Sequence, residues 1–345
     1  FRNFVERADD LGRQVRLFRQ QQMELGGTIT RQHKDELRAR RDDLNARLNI
    51  FLASQYGVDQ YHHPDPATRA AKLAAWQASH QPFHWFAEFY EIVQERGGFD
   101  VIIGNPPYVE YSKVRKQYSI RGYETESCGN LYTFVMERSL ALQSSHGRNG
   151  MIVPVSMLCT ERTIPLQKLL LHRCTMWSCS FDTSPSQLFT GVSQRLTISL
   201  YVSSGVVQHT YSGGYRRWHE EERLHLLELT QYVGLDTKKV ELGYFAKIAT
   251  PTEANVIAAL QGQRIGEVEL KIGEQPIYVH RIIRYFIKAV DFVPYFWNEA
   301  DGQKKSEDYK PFFIEAGVRH AIAAILNSSL FYWFWHSYSD GFHCG

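Results

Sequence analysis

The sequence predicts an α/β chain in which a helical N-terminal region leads into part of a parallel sheet, followed by a mixed α+β region. Three observations carry that expectation. Phe99-Asp100-Val101-Ile102-Ile103-Gly104 is an apolar run rich in β-branched residues that stops abruptly in Asn105-Pro106-Pro107-Tyr108. Such a run reads as a buried parallel strand delivering a polar turn to its carboxyl end, where open α/β sheets place their ligands. Helix, turn and strand then alternate to about Ser203, and beyond it the alternation stops.

The elements follow in order. From Phe1 to about Met23, Phe1, Phe4, Val5, Ala8, Leu11, Val15 and Phe18 recur at helical spacing, and Gly26-Gly27 ends that helix. A second helix from about Thr30 to Gln55 carries the stripe Leu37, Leu44, Leu48, Phe51 and Leu52, so the two form an antiparallel hairpin. Its arginines read as a solvated charged face in preference to a phosphate-contacting arm. Asp65-Pro66 supplies an N-cap and first-turn proline for a short Ala-rich helix to about Ser79. The aromatic stretch Pro82 to Tyr90 is expected to pack in the core against the sheet edge, with His84 structural.

Past the Asn-Pro-Pro-Tyr turn, Val109 to Gly122 is a polar loop in which Tyr111 accompanies Lys113, Arg115, Lys116 and Arg121. It reads equally as a holder of backbone phosphates and as an ordinary mobile loop. Gly129 to Leu142 is an amphipathic helix, Gly147 to Gly150 a turn, and Gly150 to Pro154 a strand. A helix from about Glu161 to His172 and a strand from about Thr175 to Phe181 follow. Leu188 to Val192 and the alternating Leu196 to Val202 then suggest a closing strand hairpin. In the last third, Tyr215-Arg216-Arg217-Trp218 is basic and aromatic together, Glu220 to Leu229 is helical, Arg281, Arg284 and Lys288 lie close in sequence, and Ala321 to Phe334 reads as one apolar helix. These boundaries divide the chain at residues 1–97, 98–203 and 204–345.

Composition narrows the class. A chain of 345 residues has room for two or three domains, and its formal net charge of +2 is too small to announce nucleic acid, so a DNA footprint would be a local patch. Cys128, Cys159, Cys174, Cys179 and Cys344 form no CxxC pair and read as reduced thiols of a cytoplasmic protein, not as disulfides or a metal site. No apolar run approaches the ~20 residues of a membrane span, and no signal peptide is visible. The absence of an initiator Met suggests a piece of a longer polypeptide.

The Asn-Pro-Pro-Tyr turn has a chemical use for each residue. A nucleobase exocyclic amine is a poor nucleophile because its lone pair is delocalised into the ring. Two acceptors gripping its N–H groups push it toward a tetrahedral geometry. The Asn105 side-chain oxygen supplies one acceptor and the Pro106 carbonyl the other, while Pro106-Pro107 fixes the backbone and Tyr108 offers a stacking face.

Gly104-Asn105-Pro106-Pro107-Tyr108 after such a strand resembles the catalytic motif of amino-methyltransferases that use S-adenosylmethionine, in particular those methylating the exocyclic amine of adenine in DNA. The resemblance implies a partial Rossmann-like methyltransferase sheet with an N-terminal helical insertion. It implies catalytic roles for Asn105, Pro106, Pro107 and Tyr108, a second wall of the base pocket from Phe189, and cofactor contacts from Asn105 and Pro107. Residues 204–345 resemble the target-recognition domains of restriction-modification enzymes, which implies double-stranded DNA as partner, with Lys113, Arg115, Lys116, Arg216, Arg217, Arg281 and Arg284 as DNA contacts. Singly, Arg216, Arg217, Arg281 and Arg284 read as solubility charges; together the docking reading wins, because an isolated catalytic domain would not need this extra mass. The glycine-rich cofactor turn after a strand is missing, since Gly26-Gly27 lies between helices, so the resemblance places the cofactor half upstream in the same polypeptide. Two rivals stand beside this expectation: methylation of a protein glutamine amide, and a DNA-binding fragment without activity. No metal is expected.

Overall fold

The computed structural model describes residues 12–13, 31–203, 208–236, 243–262, 272–283, 286–300 and 302–341. The expected first helix, Gly26-Gly27, Arg284 and Cys344 lie outside the described residues, apart from a helical fragment at Gly12 and Arg13. The chain divides into two compact units: Phe1–Ile102, Val109–Tyr123 and Arg138–Arg148 form one, and Ile103–Tyr108, Glu124–Glu137 and Asn149–Gly345 the other.

The first unit contains α1 (Arg31–Ser54), α2 (Pro66–His80), the single turn α3 (Trp85–Glu88), a π-helical turn at Glu91–Glu95 and most of β1 (Phe99–Gly104). Helix α2 starts where its capping residues dictate: Asp65 Oδ2 accepts the Thr68 backbone N–H at 2.7 Å, and Pro66 fills the first turn, where no amide is needed. Leu44 and Leu48 of α1 pack against Phe86, Ala87 and Tyr90, whereas Phe51, expected on the same stripe, is exposed. Tyr111 lies in α4 (Tyr111–Val114), and its hydroxyl accepts the Ile120 N–H at 2.7 Å. The rest of this segment settles on an aromatic group. His80 stacks on Trp76, and its Nε2 accepts the Ser119 N–H at 3.2 Å. The Arg121 guanidinium lies over the Tyr56 ring and donates to the Gln55 carbonyl at 3.0 Å.

Two expectations for this region are corrected. The Pro82 to Tyr90 stretch is not uniformly core: Trp85 stacks on Phe89, Phe83 meets Trp85 edge-on, and both Trp85 and Phe89 meet Phe99 edge-on, yet Phe83, Trp85 and Phe89 stay at least a third exposed, while Ala87 and Tyr90 are buried. His84 hydrogen-bonds Asn49 Oδ1 at 2.6 Å. The glycines at 147 and 150 do not form a turn, because β2 runs unbroken over Gln143–Pro154. Gly98 and Gly147 instead permit a close approach: a Cβ on the former would strike the Gln143 and Ser144 backbone, and one on the latter the Phe99 carbonyl.

The second unit holds α5 (Leu131–Leu142) up to Glu137, the end of β2, α6 (Ser156–Cys159), α7 (Ile164–Arg173), β3 (Cys174–Phe181), β4 (Leu196–Ser203), β5 (Thr210–Arg216) and β6 (Val233–Leu235). The six strands order as β1-β2-β4-β3-β5-β6. This sheet is mixed, not parallel as expected. β3 pairs antiparallel with β4, from Cys174↔Ser203 to Phe181↔Leu196, and parallel with β5, while β5 pairs antiparallel with β6. The reason lies in the connection. Between β3 and β4 the chain makes no crossover helix, and without one a strand returning beside its predecessor must run the other way. Leu188 to Val192 is accordingly a loop and not a strand of the expected hairpin. The sheet also continues past Ser203 through β5 and β6, beyond the boundary drawn from the sequence.

β1 departs furthest from expectation. It is the first strand in the order, not a buried central one, and Val101 and Ile103 are 60% and 81% exposed. An apolar, β-branched composition reports strand propensity; coverage of both faces depends on neighbours the run does not encode. Elsewhere in the sheet α7 packs along β3, and Met151, Val153, Leu166, Leu170, Met176, Phe181 and Tyr201 are all buried. Trp218, fully buried, joins Cys179, Phe181, Leu188, Ile198 and Leu226 beneath the sheet end.

After α8 (Pro251–Gly262), strands β7 (Ile272–His280), β8 (Ala289–Val290) and β11 (Tyr309–Ile314) make a small antiparallel sheet, and β9 (Tyr295–Asn298) with β10 (Gly302–Lys305) makes a separate ribbon. The expected single helix near the end is two, α9 (Arg319–Leu326) and α10 (Ser329–Tyr338). Asn327 and Ser328 cause the break. The Asn327 side chain exchanges hydrogen bonds with both backbone groups of Ala289, and Ser328 Oγ caps α10 by accepting the Phe331 N–H at 3.1 Å. Lys247, wholly buried, then fastens the end of α10 by donating from Nζ to the carbonyls of Ser337 at 2.9 Å and Ser339 at 2.6 Å.

His336 sits edge-on to Tyr215 at a 4.2 Å ring separation. Burial, aided by the Lys247 and Arg217 charges, pushes its pKa from 6.5 down to about 4. The unfolded chain therefore binds more protons than the folded one between those values, and stability falls as pH drops through that window. The expected loss is on the order of 3 kcal/mol between pH 6.5 and 4. Urea unfolding at stepped pH checks it: a His336→Phe variant, with a ring that cannot charge, should lose markedly less over the same interval.

Candidate active site

The Asn105 corner forms because β1 must end there. Pro106 and Pro107 lack the amides a ladder requires, and consecutive fixed φ angles turn the chain away from the sheet. Pro106 is buried, Asn105 and Pro107 are exposed, and Tyr108 is half-buried. Gly104 admits the Met151 side chain beside it, and Gly150 lies beside Ile103, so neighbours step along β1 and β2 in the same sense and both strands finish at the corner. The Tyr108 hydroxyl meets two oxygens: Asn105 Oδ1 at 2.5 Å and the Ile152 carbonyl of β2 at 2.9 Å. Burial pushes the phenol up to about 12, so it is a protonated donor at neutral pH.

The same end of the sheet carries the loop between β3 and β4. Val155, following β2 directly, donates its N–H to the Arg195 carbonyl at 2.9 Å. Asp182, directly after β3, closes the loop: its Oδ1 accepts from Thr183 N at 2.7 Å and Arg195 Nε at 3.1 Å, and its Oδ2 accepts from Arg217 Nε at 3.1 Å. Burial raises the carboxyl's pKa, but the Arg195 charge, the Thr183 N–H and Arg217 outweigh it and hold the group below the usual carboxylate range. Arg223 holds the middle of the loop by donating to the carbonyls of Gln187 at 2.8 Å and Leu188 at 3.1 Å. Phe189 follows, partly exposed, and its carbonyl accepts the Val192 N–H across a turn in which Gly191 takes a φ of 80°. The sequence reading singled out neither Asp182 nor Arg195, since nothing local marks an acid at a strand end as the partner of arginines 13 and 35 residues away.

The basic positions named from sequence divide into two groups. Lys113, Arg115 and Lys116 are exposed and make no ion pair among the described residues; Arg281 is exposed as well. Arg216 and Arg217 are instead engaged by the protein's own groups. Arg216 donates from Nη1 to the Leu226 carbonyl at 2.9 Å and Thr230 Oγ1 at 3.1 Å, and Arg217 is held by Asp182. Arg284 lies outside the described residues.

The residues present do not complete a cradle for S-adenosylmethionine. Among the described residues no glycine-rich turn directly follows a strand: Gly97-Gly98 precedes β1, and Gly98 is pressed against Gln143 and Ser144. Asp182 ends a strand, but its two oxygens are taken by arginines and are not open to a ribose. No group of three His, Cys, Asp or Glu side chains among the described residues could hold a metal ion, and no described helix is long and apolar enough to cross a membrane.

The corner thus brings an amide oxygen and an aromatic ring together at the end of a strand, and comparison with known proteins bears on the class of protein to which this stretch is similar. Residues 36–189, somewhat under half of the chain, match the family of Eco57I restriction-modification methylases, which supports a restriction-modification methylase domain there. A protein of Methanocaldococcus jannaschii, described as a type II restriction enzyme and methyltransferase, is 32% identical over 111 residues, covering 32% of this chain and 9% of that protein. The chain thus spans under a tenth of that relative's length. Among solved structures, similarity extends to a nuclease-deletion mutant of the Type ISP restriction-modification enzyme LlaGI in complex with a DNA substrate mimic, with 14% identity and a TM-score of 0.33 over 41% of this chain and 18% of the other. A modification subunit of a type I restriction enzyme from Vibrio vulnificus is similar at 13% identity and a TM-score of 0.30 over 63% and 38%. Superpositions at that level carry no inference.

Proposed function

We propose that this chain is the amine-binding and DNA-holding part of a site-specific DNA adenine methyltransferase of a restriction-modification system. The observation that carries the reading is the Asn105-Pro106-Pro107-Tyr108 corner at the finishing ends of β1 and β2. On this reading an adenine turned out of the duplex places its amine between Asn105 Oδ1 and the Pro106 carbonyl, which accept hydrogen bonds from its two N–H groups and leave the nitrogen lone pair pointing away; one of these protons is released to solvent once the nitrogen carries the methyl group. Tyr108 and Phe189 bound the ring. S-adenosylmethionine would supply the methyl group, with Asn105 and Pro107 bordering it and its cradle provided by an upstream part of the same polypeptide. The part of residues 204–345 that follows β6 serves as the target-recognition region, with Arg281 and Arg284 assigned to the duplex. Arg216 and Arg217, whose guanidiniums brace the protein, act there by shaping the surface more than by touching phosphate.

Lys113, Arg115 and Lys116 are assigned to the phosphates. Replacing all three by Gln is expected to weaken duplex binding about equally for every sequence, and to reduce the slope of log K against log salt by about 2 to 3, because each contact releases roughly one counterion. Fluorescence anisotropy with a labelled duplex at stepped salt measures both. An unchanged slope removes this loop from the interface, and binding of a glutamine-bearing peptide in place of DNA would transfer the corner to the protein-amide chemistry that the same motif serves.

A further inference from the structure

In its resting form the corner's principal acceptor, the exposed Asn105 oxygen, already has one of its two lone pairs in use. Asn105 Oδ1 lies 2.5 Å from the Tyr108 hydroxyl, and that hydroxyl has a second acceptor, the Ile152 carbonyl, at 2.9 Å. We infer that Tyr108 is a latch as well as a stacking platform: its hydroxyl occupies the Asn105 oxygen until the amine of an extruded base displaces it, and then turns wholly to Ile152. The inference rests on the reading of the corner as an amine site.

The argument is one of proton supply. A phenol has one proton to donate, and here it faces two oxygens, so one of the pair is always served incompletely. A carbonyl in β2 standing ready as the alternative makes the displacement cheap, since the hydroxyl that gives up Asn105 is not left unsatisfied in its half-buried position. An incoming amine thus exchanges one hydrogen bond for another and moves no buried charge. A base lacking the amine has nothing to offer Asn105 and cannot perform the exchange. The hydroxyl therefore competes with adenine alone and holds its preference over purines without an amine below what Asn105 by itself would give, while the ring provides stacking for both. Tyr108 is in this sense a positioning residue for Asn105.

The test separates hydroxyl from ring. The full-length protein is titrated with a short duplex whose central adenine faces an abasic site, and with the same duplex carrying unsubstituted purine there; an unpaired base costs little to extrude. The wild type should prefer the adenine duplex. Tyr108→Phe should tighten adenine binding about two- to tenfold, the worth of one net hydrogen bond, and leave purine binding unchanged. In Asn105→Ala, adding Tyr108→Phe should change neither. On the unmutated sequence, 3-fluorotyrosine at position 108 should shift its ¹⁹F resonance with the adenine duplex and not with the purine duplex. If the wild type prefers adenine but Tyr108→Phe moves both duplexes alike, Asn105 presents Nδ2 and not Oδ1 to the hydroxyl, and the latch does not exist. If the wild type does not distinguish the duplexes at all, the amine site itself is refuted and the latch with it.

Discussion

Replacing Asn105 by alanine is expected to lower methyl transfer by about a hundredfold or more while leaving duplex affinity within a factor of about two. The asymmetry follows from where the residue acts. Asn105 is a small, exposed side chain at the end of a strand, and its removal empties no core and unpairs no buried charge. What it removes is an oriented acceptor facing charge that develops only as the amine pyramidalises, and single preorganised groups of this kind are worth about 3 to 4 kcal/mol in the transition state. Phosphate contacts dominate affinity and lie elsewhere, so binding should scarcely change. Single-turnover kinetics at saturating DNA, in a protein that includes the donor-binding part, isolates the step. Substantial turnover by the variant would show that the corner is a turn and nothing more.

The second large effect concerns stability. Asp182→Ala is expected to destabilise the second unit by about 3 kcal/mol, because it leaves the Arg195 guanidinium, itself only 18% exposed, without its counter-charge. Arg217, about half exposed, should contribute little to the loss, since water screens it. Asp182→Asn keeps an acceptor for Arg195 but not the charge and should fall between. The pH dependence gives an independent check. A carboxyl with a depressed folded pKa stabilises above its unfolded value of about 3.9, and that contribution disappears as pH falls through the lower folded value. The difference between wild type and Asp182→Asn should accordingly be flat from pH 8 to 5 and shrink only below about 4, a window distinct from that of His336. Chemical denaturation of the two proteins resolves it; a difference that changes near pH 6 would assign the effect to another group. Because Asp182 closes the loop bearing Phe189, a lowered kcat accompanying the lost stability would be its consequence.

Much of the local structure could be read directly. Asp65 and Pro66 marked the start of α2 because capping is decided within four residues, and the breaking point of β1 was legible because two prolines cannot join a ladder. Leu44 and Leu48 announced their packing through helical spacing, but Phe51 on the same stripe did not, since periodicity says which face a residue occupies and not how far the partner surface extends. The division of Ala321 to Phe334 into two helices was written in Asn327 and Ser328, yet apolar continuity masked it.

The sequence by itself determined the chemistry of the corner: an amide oxygen, fixed carbonyls and an aromatic ring at the end of a strand. Only the tertiary structure decided which of these groups are already occupied, that β1 is an exposed edge, that β4 returns antiparallel between β2 and β3, and that Arg217 belongs to Asp182. The division has one physical cause. Caps, turns and periodicities are fixed by neighbours a few positions away, whereas coverage of a strand and pairing of a charge depend on residues tens of positions distant, which the chain brings together only by folding.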